Sequence, residues 1–365
     1  MSQLRTVQVL GGGSAGSSAH VGSLTAGLVA RGVQVTVCAP AGLDRAHDFS
    51  GVGARFAPVP RRSDPAAVAA LRAACSTADV VHAHGPHAAV RAALALGGRR
   101  IPLVVTWHAR PHAEGARARL LQLMERRAAR AAAVVLGTTS DLVDRARWRG
   151  ARDARLSPVS APVPCLPRAA DPDKTRAELG AVGRPLVVSC GSLVPHRGYE
   201  LLLDAARAWR GLGVAPLLII VGEGRQRAAL QRRIREQELP VRLVGDRDDI
   251  AELLTAADLA VLPSRWEARP VLAQQALRLG VPLVATAVGG VPELVGDGAE
   301  LVPYGNAEAL ARAVTGLLGD PGRCARLAAA GRAQAASWPT EDHTIAHVLS
   351  VYDELTQPLA PPRAR

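Results

Sequence analysis

Polar side chains capable of chemistry recur in this sequence directly after short aliphatic runs. His82-Ala83-His84-Gly85-Pro86-His87 follows one such run, and Thr106-Trp107-His108 closes another. An imidazole so placed can bond a sugar hydroxyl or a phosphate oxygen. His108 is the foremost candidate, set against the plain alternative of a satisfied loop histidine. The spacing of His82, His84 and His87 also invites a metal reading. On a strand His82 and His84 point to one side, while His87 begins a new element. No carboxylate or thiolate accompanies them, so the sequence predicts no metal site.

The second half carries a denser set. Gly191-Ser192-Leu193-Val194-Pro195-His196-Arg197-Gly198 leads from an apolar run into a helical pattern, so Arg197 and the helix amides make a diphosphate cradle. Gly222 and Gly224, in Val221-Gly222-Glu223-Gly224, form a second strand-to-helix turn that would line a nucleotide pocket. Glu267 and Gln275 stand eight residues apart after Leu262-Pro263-Ser264-Arg265-Trp266. With Glu267 at a helix N-terminus, that spacing puts both on one face, one for sugar hydroxyls and the other for ribose. Gly289 and Gly290 follow after the next apolar run. Asp246-Arg247-Asp248-Asp249 looks like a metal-binding DxD, but it precedes a helical pattern and is read as helix capping.

Near the N-terminus Gly11 to Ser18 makes a glycine-rich loop after the first strand, with Gly12, Gly13 and Gly16 free to approach a phosphate. A dinucleotide site would need an acidic residue at the end of the second strand. Cys38-Ala39-Pro40 stands there, so NAD is disfavoured. His20 falls in the first helical turn, where capping, packing and ligand contact are all open.

These residues need elements to hold them, and the sequence supplies alternating strands and helices, the pattern of a parallel sheet. Strands are predicted at 6–10, 33–38, 80–83, 103–106, 133–136 and 154–158, then at 185–190, 217–221, 241–244, 259–262, 283–286 and 300–302. Helices are predicted at 18–31 and 115–130 among others. The five prolines of 157–184 predict a linker. The resulting organisation is an N-terminal Rossmann-like domain over 1–165, a linker over 166–184, and a C-terminal Rossmann-like domain over 185–339. A helix at 340–356 follows, then a disordered tail at 357–365. In doubly wound domains the ligand lies at the C-terminal ends of the strands, here predicted to face a cleft between the two.

Bulk properties set the context. The hydrophobic fraction of 48% is enough for two cores, and no apolar run reaches the roughly 18 residues of a membrane span. Five cysteines without a CxxC pair and an N-terminus without a signal-peptide pattern predict a cytoplasmic protein with buried thiols. The net charge of +12 is lopsided: residues 1–170 hold 22 Arg against 9 acidic residues. Nearly all the basic residues are Arg, so that asymmetry reads either as a GC-rich coding bias or as a face for an anionic partner such as a phospholipid surface or a phosphorylated acceptor. Arg110–Arg130, with six Arg beside Leu120, Leu121, Leu123 and Met124, reads as a docking helix or as a solvated face. Only 3% aromatic residues argues against nucleic acid.

Taken in order, the segments RGVQVTV, DVVHAHGP, TWH, GSLVPHRGYELLLDA, LLIIVGEG, AADLAVLPSRWEARPVLAQQAL and GVPLVATAVGGVPELV resemble the family 4 retaining glycosyltransferases of GT-B fold, over nearly the whole chain. The resemblance implies a nucleotide-diphosphate sugar in the second domain, without cofactor or metal. It implies an acceptor in the first domain, near His20 and His84, and a C-terminal helix returning to it. His108 and Glu267 would serve the reacting sugar. Three positions depart from the family. Ser192 stands where the family has Arg, and Gln275 stands where it has the second Glu of E-x7-E; Arg197 replaces the family's Lys. These losses motivate an alternative, a weakened GT-B protein that binds nucleotide or scaffolds a partner enzyme.

Overall fold

The computed structural model describes residues 3–11, 15–60, 65–113, 115–159 and 171–357. The chain divides into two compact units: Met1–Ser160 with Pro339–Arg365, and Ala161–Trp338.

Unit 1 runs β1 (Arg5–Leu10), α1 (Ala15–Ala30), β2 (Gln34–Ala39), α2 (Gly42–His47), β3 (Arg55–Pro58), α3 (Pro65–Ala74), β4 (Val80–His84), α4 (Pro86–Leu96), β5 (Leu103–Trp107), α5 (Gly115–Ala131), β6 (Val134–Gly137), α6 (Ser140–Trp148) and β7 (Ala154–Leu156). Every strand pairing is parallel, in the order β3-β2-β1-β4-β5-β6-β7. Parallel strands covered on both faces bury nearly every side chain, and β4, β5 and β6 are buried throughout. The edge strand β3 has no counterpart among the predicted strands. Its end residues Arg55 and Pro58 are exposed and Phe56 and Ala57 half-buried, so neither an apolar run nor alternation marks it.

Unit 2 runs α7 (Pro172–Glu178), β8 (Leu186–Cys190), α8 (Tyr199–Trp209), β9 (Leu217–Val221), α9 (Arg227–Glu236), β10 (Val241–Gly245), α10 (Ile250–Ala256), β11 (Leu259–Leu262), α11 (Val271–Leu279), β12 (Leu283–Thr286), α12 (Val291–Val295), β13 (Glu300–Val302), α13 (Ala307–Leu318) and α14 (Pro321–Ala336). Its sheet is parallel, in the order β10-β9-β8-β11-β12-β13. Successive residues of β8 alternate between two cores: Leu186 and Val188 pack on one face, Val187 on the other.

Helix α7 lies inside the stretch predicted as linker. Proline is compatible with the first helical turn, where its missing N–H would bond nothing. Pro172 takes that place, and the Asp171 carboxylate caps the backbone amides of Asp173 and Lys174 at 3.0 and 3.1 Å. The acidic run before α10 also differs from its reading. Asp249 occupies the N-cap position without a side-chain cap bond, and Arg247 holds its carboxylate in a two-pronged pair at 2.7 Å and closer.

The last helix, α15 (Glu341–Thr356), begins on a Thr340–His343 capping box and belongs to unit 1. Ile345, Val348, Val351 and Tyr352 complete the core formed by α1 and the β1–β6 strands. A side chain at Gly27 of α1 would run into Ile345, so a glycine allows this close approach. No described helix is long and apolar enough to cross a membrane. Residues 358–365, read as a tail, lie outside the described residues.

Candidate functional site

In doubly wound sheets the strand order reverses at one place, and ligands bind beyond the strand ends there. In unit 1 that place falls between β1 and β4, in unit 2 between β8 and β11. Of the predicted site residues that the structure describes, His84 and His108 lie at the first place and Ser192, Arg197 and Glu267 at the second.

In unit 1, Leu10 pairs in register with His84 and His84 with Thr106, which brings the ends of three strands level. His20 from α1, His84 from β4 and His108 after β5 converge, each with a ring nitrogen within 4.8 Å of the others. His84 Nδ1 lies 3.2 Å from His108 Nε2, and the His20 and His108 ring centres are 5.3 Å apart. A chain of bonds fixes this group from behind. Gln8 accepts from His84 Nε2 at 3.0 Å and donates to the Tyr352 hydroxyl at 3.0 Å. That hydroxyl meets His82 Nδ1 at 2.6 Å, and His82 Nε2 meets Thr106 Oγ1 at 2.6 Å. Read in sequence, Tyr352 donates to His82, which donates to Thr106, and His84 carries its proton on Nε2.

The imidazoles are neutral. Burial lowers His20 to about 4, and burial with the neighbouring His20 lowers His82 to about 3. Burial first, then the other histidines, holds His84 and His108 well below the ordinary value. Neutral rings can both donate to and accept from a sugar hydroxyl. His87 stands exposed on α4, apart from the group. Gly12 and Gly13 lie outside the described residues; Gly16 falls in the first turn of α1.

In unit 2 the loops after β8, β9, β11 and β12 interlock through backbone contacts. Leu193 N donates to Glu223 O at 2.8 Å, Arg265 N to His196 O at 2.8 Å, and Gly290 N to Glu267 O at 2.9 Å. Gly198, with φ of 74°, and Gly222, with φ of 134°, sit where a side chain would strike Pro263 O and Gly191 O respectively. Gly224 and Gly289 make similarly close approaches, to Leu193 and to Glu267. Arg197 ends a short 3-10 turn, and its Nη1 is paired with the Glu267 carboxylate. Ser264 Oγ donates to the same carboxylate oxygen at 2.8 Å. Burial pushes the Glu267 carboxyl up, opposed by Arg197 and Ser264. Arg197 Nε is buried and without a partner among the described residues.

Glu267 does not begin a helix. It lies in the loop four residues before α11, because Pro270 fixes an extended residue at the helix N-cap. Helical spacing therefore does not relate it to Gln275, which is half-buried on α11; the adjacent Gln274 is buried and donates to Arg269 O at 3.0 Å. Ser192 sits exposed on the β8 loop, between Gly191 and Leu193. Gln8, Thr106, Tyr352 and Ser264 were not among the predicted site residues. A glutamine inside the apolar strand TVQVL was the available signal for the first; nothing in the sequence links it to Tyr352, 344 positions away.

The model for glycosyl transferases group 1 matches residues 171–334, and that for the glycosyl transferase 4-like domain matches residues 15–162. A GDP-mannose-dependent alpha-(1-6)-phosphatidylinositol monomannoside mannosyltransferase of Mycolicibacterium smegmatis is 32% identical over 256 residues, 63% of this chain and 67% of that protein. A GDP-mannose-dependent monoacylated alpha-(1-6)-phosphatidylinositol monomannoside mannosyltransferase of Corynebacterium glutamicum is 33% identical over 183 residues, 47% of this chain and 48% of that protein. The chain thus spans about half to two thirds of these relatives' lengths. Among solved structures, Anabaena Alr3699/HepE in complex with UDP-glucose superposes with a TM-score of 0.81 at 22% identity, over 96% of this chain and 100% of that one. The chain belongs to the group 1 glycosyltransferases of GT-B fold, the family 4 type.

Proposed function

We propose that the protein is a retaining glycosyltransferase that takes a sugar from a nucleotide-diphosphate donor held by unit 2 and passes it to an acceptor at the histidine group of unit 1. The observation that carries this is the Ser264–Glu267–Arg197 cluster at the reversal point of the second sheet. A departing diphosphate needs positive charge and fixed donors, and Arg197 offers both without a metal ion, with its buried Nε still to be satisfied. Glu267, released from Arg197 as phosphate arrives, would accept from the sugar hydroxyls. Retention follows if the leaving phosphate takes the acceptor proton on the same face of the sugar, which needs no carboxylate nucleophile.

Two relatives act from GDP-mannose, so that donor comes first. The phosphatidylinositol monomannosides in their names favour a lipid-linked mannoside or other envelope glycan as acceptor, met at a membrane surface from the cytoplasmic side. Helix α5 suits such docking: Leu120 and Leu123 are more than half exposed or close to it, flanked by exposed Arg119, Arg126 and Arg127. A thermal-shift and transfer panel of GDP-, UDP- and ADP-sugars tests the reading. A stabilising donor that supports transfer is the expected result. Nucleotide binding without turnover on any donor would favour the alternative that Ser192 and Gln275 motivate, a binding or scaffolding protein.

A further inference from the structure

We propose that His20, His84 and His108 of unit 1 form a binding site for one first-row transition-metal ion of zinc type, with no role at the diphosphate.

The sequence argued against a metal from the HxHxxH run, and that argument holds for His87, which is exposed on α4 and outside the trio. The fold assembles a different trio, drawn from a helix, a strand end and a loop. In a tetrahedral zinc site with Zn–N near 2.0–2.1 Å, neighbouring ligand nitrogens lie about 3.3 Å apart. His84 Nδ1 and His108 Nε2 are 3.2 Å apart, and the third nitrogen comes within 4.8 Å of both. An adjustment of at most about 1.5 Å at His20, from the 4.8 Å limit to the ligand spacing of about 3.3 Å, would complete three ligands. The fourth position falls to water or a substrate hydroxyl, as in open sites.

The surrounding bonds resemble what metal-bound histidines require. Such a ligand donates its other N–H to a fixed acceptor, which sets the tautomer. His84 Nε2 meets Gln8 Oε1 at 3.0 Å, and the Gln8 amide is turned that way by Tyr352. The Nδ1 lone pair of His84 therefore faces the trio. Burial keeps all three rings neutral near pH 7, so no proton has to be displaced from them. Without metal, the 3.2 Å contact is a hydrogen bond in which His108 Nε2–H donates to His84 Nδ1. With metal, His108 must carry its proton on Nδ1 instead. Three imidazoles without a carboxylate suit zinc, cobalt(II), nickel or copper(II), and poorly suit magnesium or calcium. The ion would occupy the histidine group at which the proposed transfer holds its acceptor.

The test uses the full-length, untagged chain stripped with EDTA and titrated with cobalt(II). The expected result is visible d–d absorption of a four-coordinate ion, saturating at one cobalt per chain and displaced by zinc. His108→Gln, at a half-buried loop position, should abolish it with the circular dichroism unchanged. Gln8→Leu, which frees His84 to turn, should weaken it by about 10- to 100-fold. Imidazole 15N shifts should report the change of tautomer at His108. Absence of a saturable band, or an unchanged titration in His108→Gln, would overturn the proposal and leave a hydrogen-bonded histidine cluster. Neither readout depends on transfer, so failure of the transferase reading leaves the test intact.

Discussion

Removing one oxygen atom, in Tyr352→Phe, tests whether the last helix organises the histidine group. The Tyr352 hydroxyl is fully buried, accepts from Gln8 Nε2 at 3.0 Å and meets His82 Nδ1 at 2.6 Å. Phenylalanine keeps the ring and its packing against α1 and the sheet. It leaves the Gln8 amide with Thr6 Oγ1 at 3.5 Å as a poor substitute, and the His82 Nδ1 lone pair with nothing. Each buried polar group left unpaired costs about 1–3 kcal/mol, partly offset because the hydroxyl itself no longer has to be desolvated. A net loss of about 2–4 kcal/mol follows. At about 2–4 °C per kcal/mol for a unit of this size, unit 1 should melt roughly 5–15 °C lower. Differential scanning calorimetry measures this directly, with urea unfolding as a check that the m-value is unchanged. A drop below about 0.5 kcal/mol, the scale of ordinary surface substitutions, would refute the relay. Because the relay sets the His84 tautomer and through it His108, transfer should slow in this variant while donor affinity stays the same. A loss of donor affinity equal to the loss of rate would point to a general structural defect instead.

Further outcomes follow from the same geometry. Acid should destabilise unit 1: His20 and His82 titrate near 6.5 when unfolded but near 4 and 3 when folded, so below 6.5 the unfolded chain binds more protons. Each costs about 2 kcal/mol by pH 5, with no contribution above about pH 7, and unfolding midpoints across pH 5–8 will show the slope or its absence. Arg197→Ala removes the cation from beside a buried carboxylate, so donor affinity should fall by at least about tenfold, and calorimetric titration with a nucleotide-sugar checks it. Arg197→Lys should recover part of that affinity. Gly198→Ala places a methyl group against Pro263 O at a left-handed φ, and should cost about 1–3 kcal/mol in unit 2 while leaving unit 1 untouched. If the histidine trio holds a metal, stoichiometric zinc should depress transfer and EDTA restore it, with no zinc effect in His20→Ala.

Much of this protein could be read from its residues in order. The periods of apolar residues locate twelve of the strands, since a strand buried on both faces must be a short aliphatic run whatever surrounds it. The glycine turns at 222–224 and 289–290 are equally local, because close backbone approach excludes a side chain and leaves glycine as the mark. What failed was local in a different way. The β3 edge strand has too little buried surface to leave a pattern, and Pro172 begins a helix because Asp171 caps it. The Glu267–Gln275 spacing misled because the proline between them ends the loop and starts the helix late.

The sequence by itself determined that the motif residues would sit at the ends of strands, since they follow apolar runs and parallel sheets present those ends together. It also determined two sheets and their alternating helices. Only the tertiary structure decided which of these residues meet. His20, His84 and His108 are separated by 64 and 24 positions and become one group only when the order of the sheet sets β1 beside β4 and β4 beside β5. Arg197 reaches Glu267 across 70 positions because β8 lies against β11. Tyr352 reaches Gln8 because α15 folds onto the first unit. Strand order is settled by non-local burial, the sum of many weak contacts, and no short stretch of sequence records that sum.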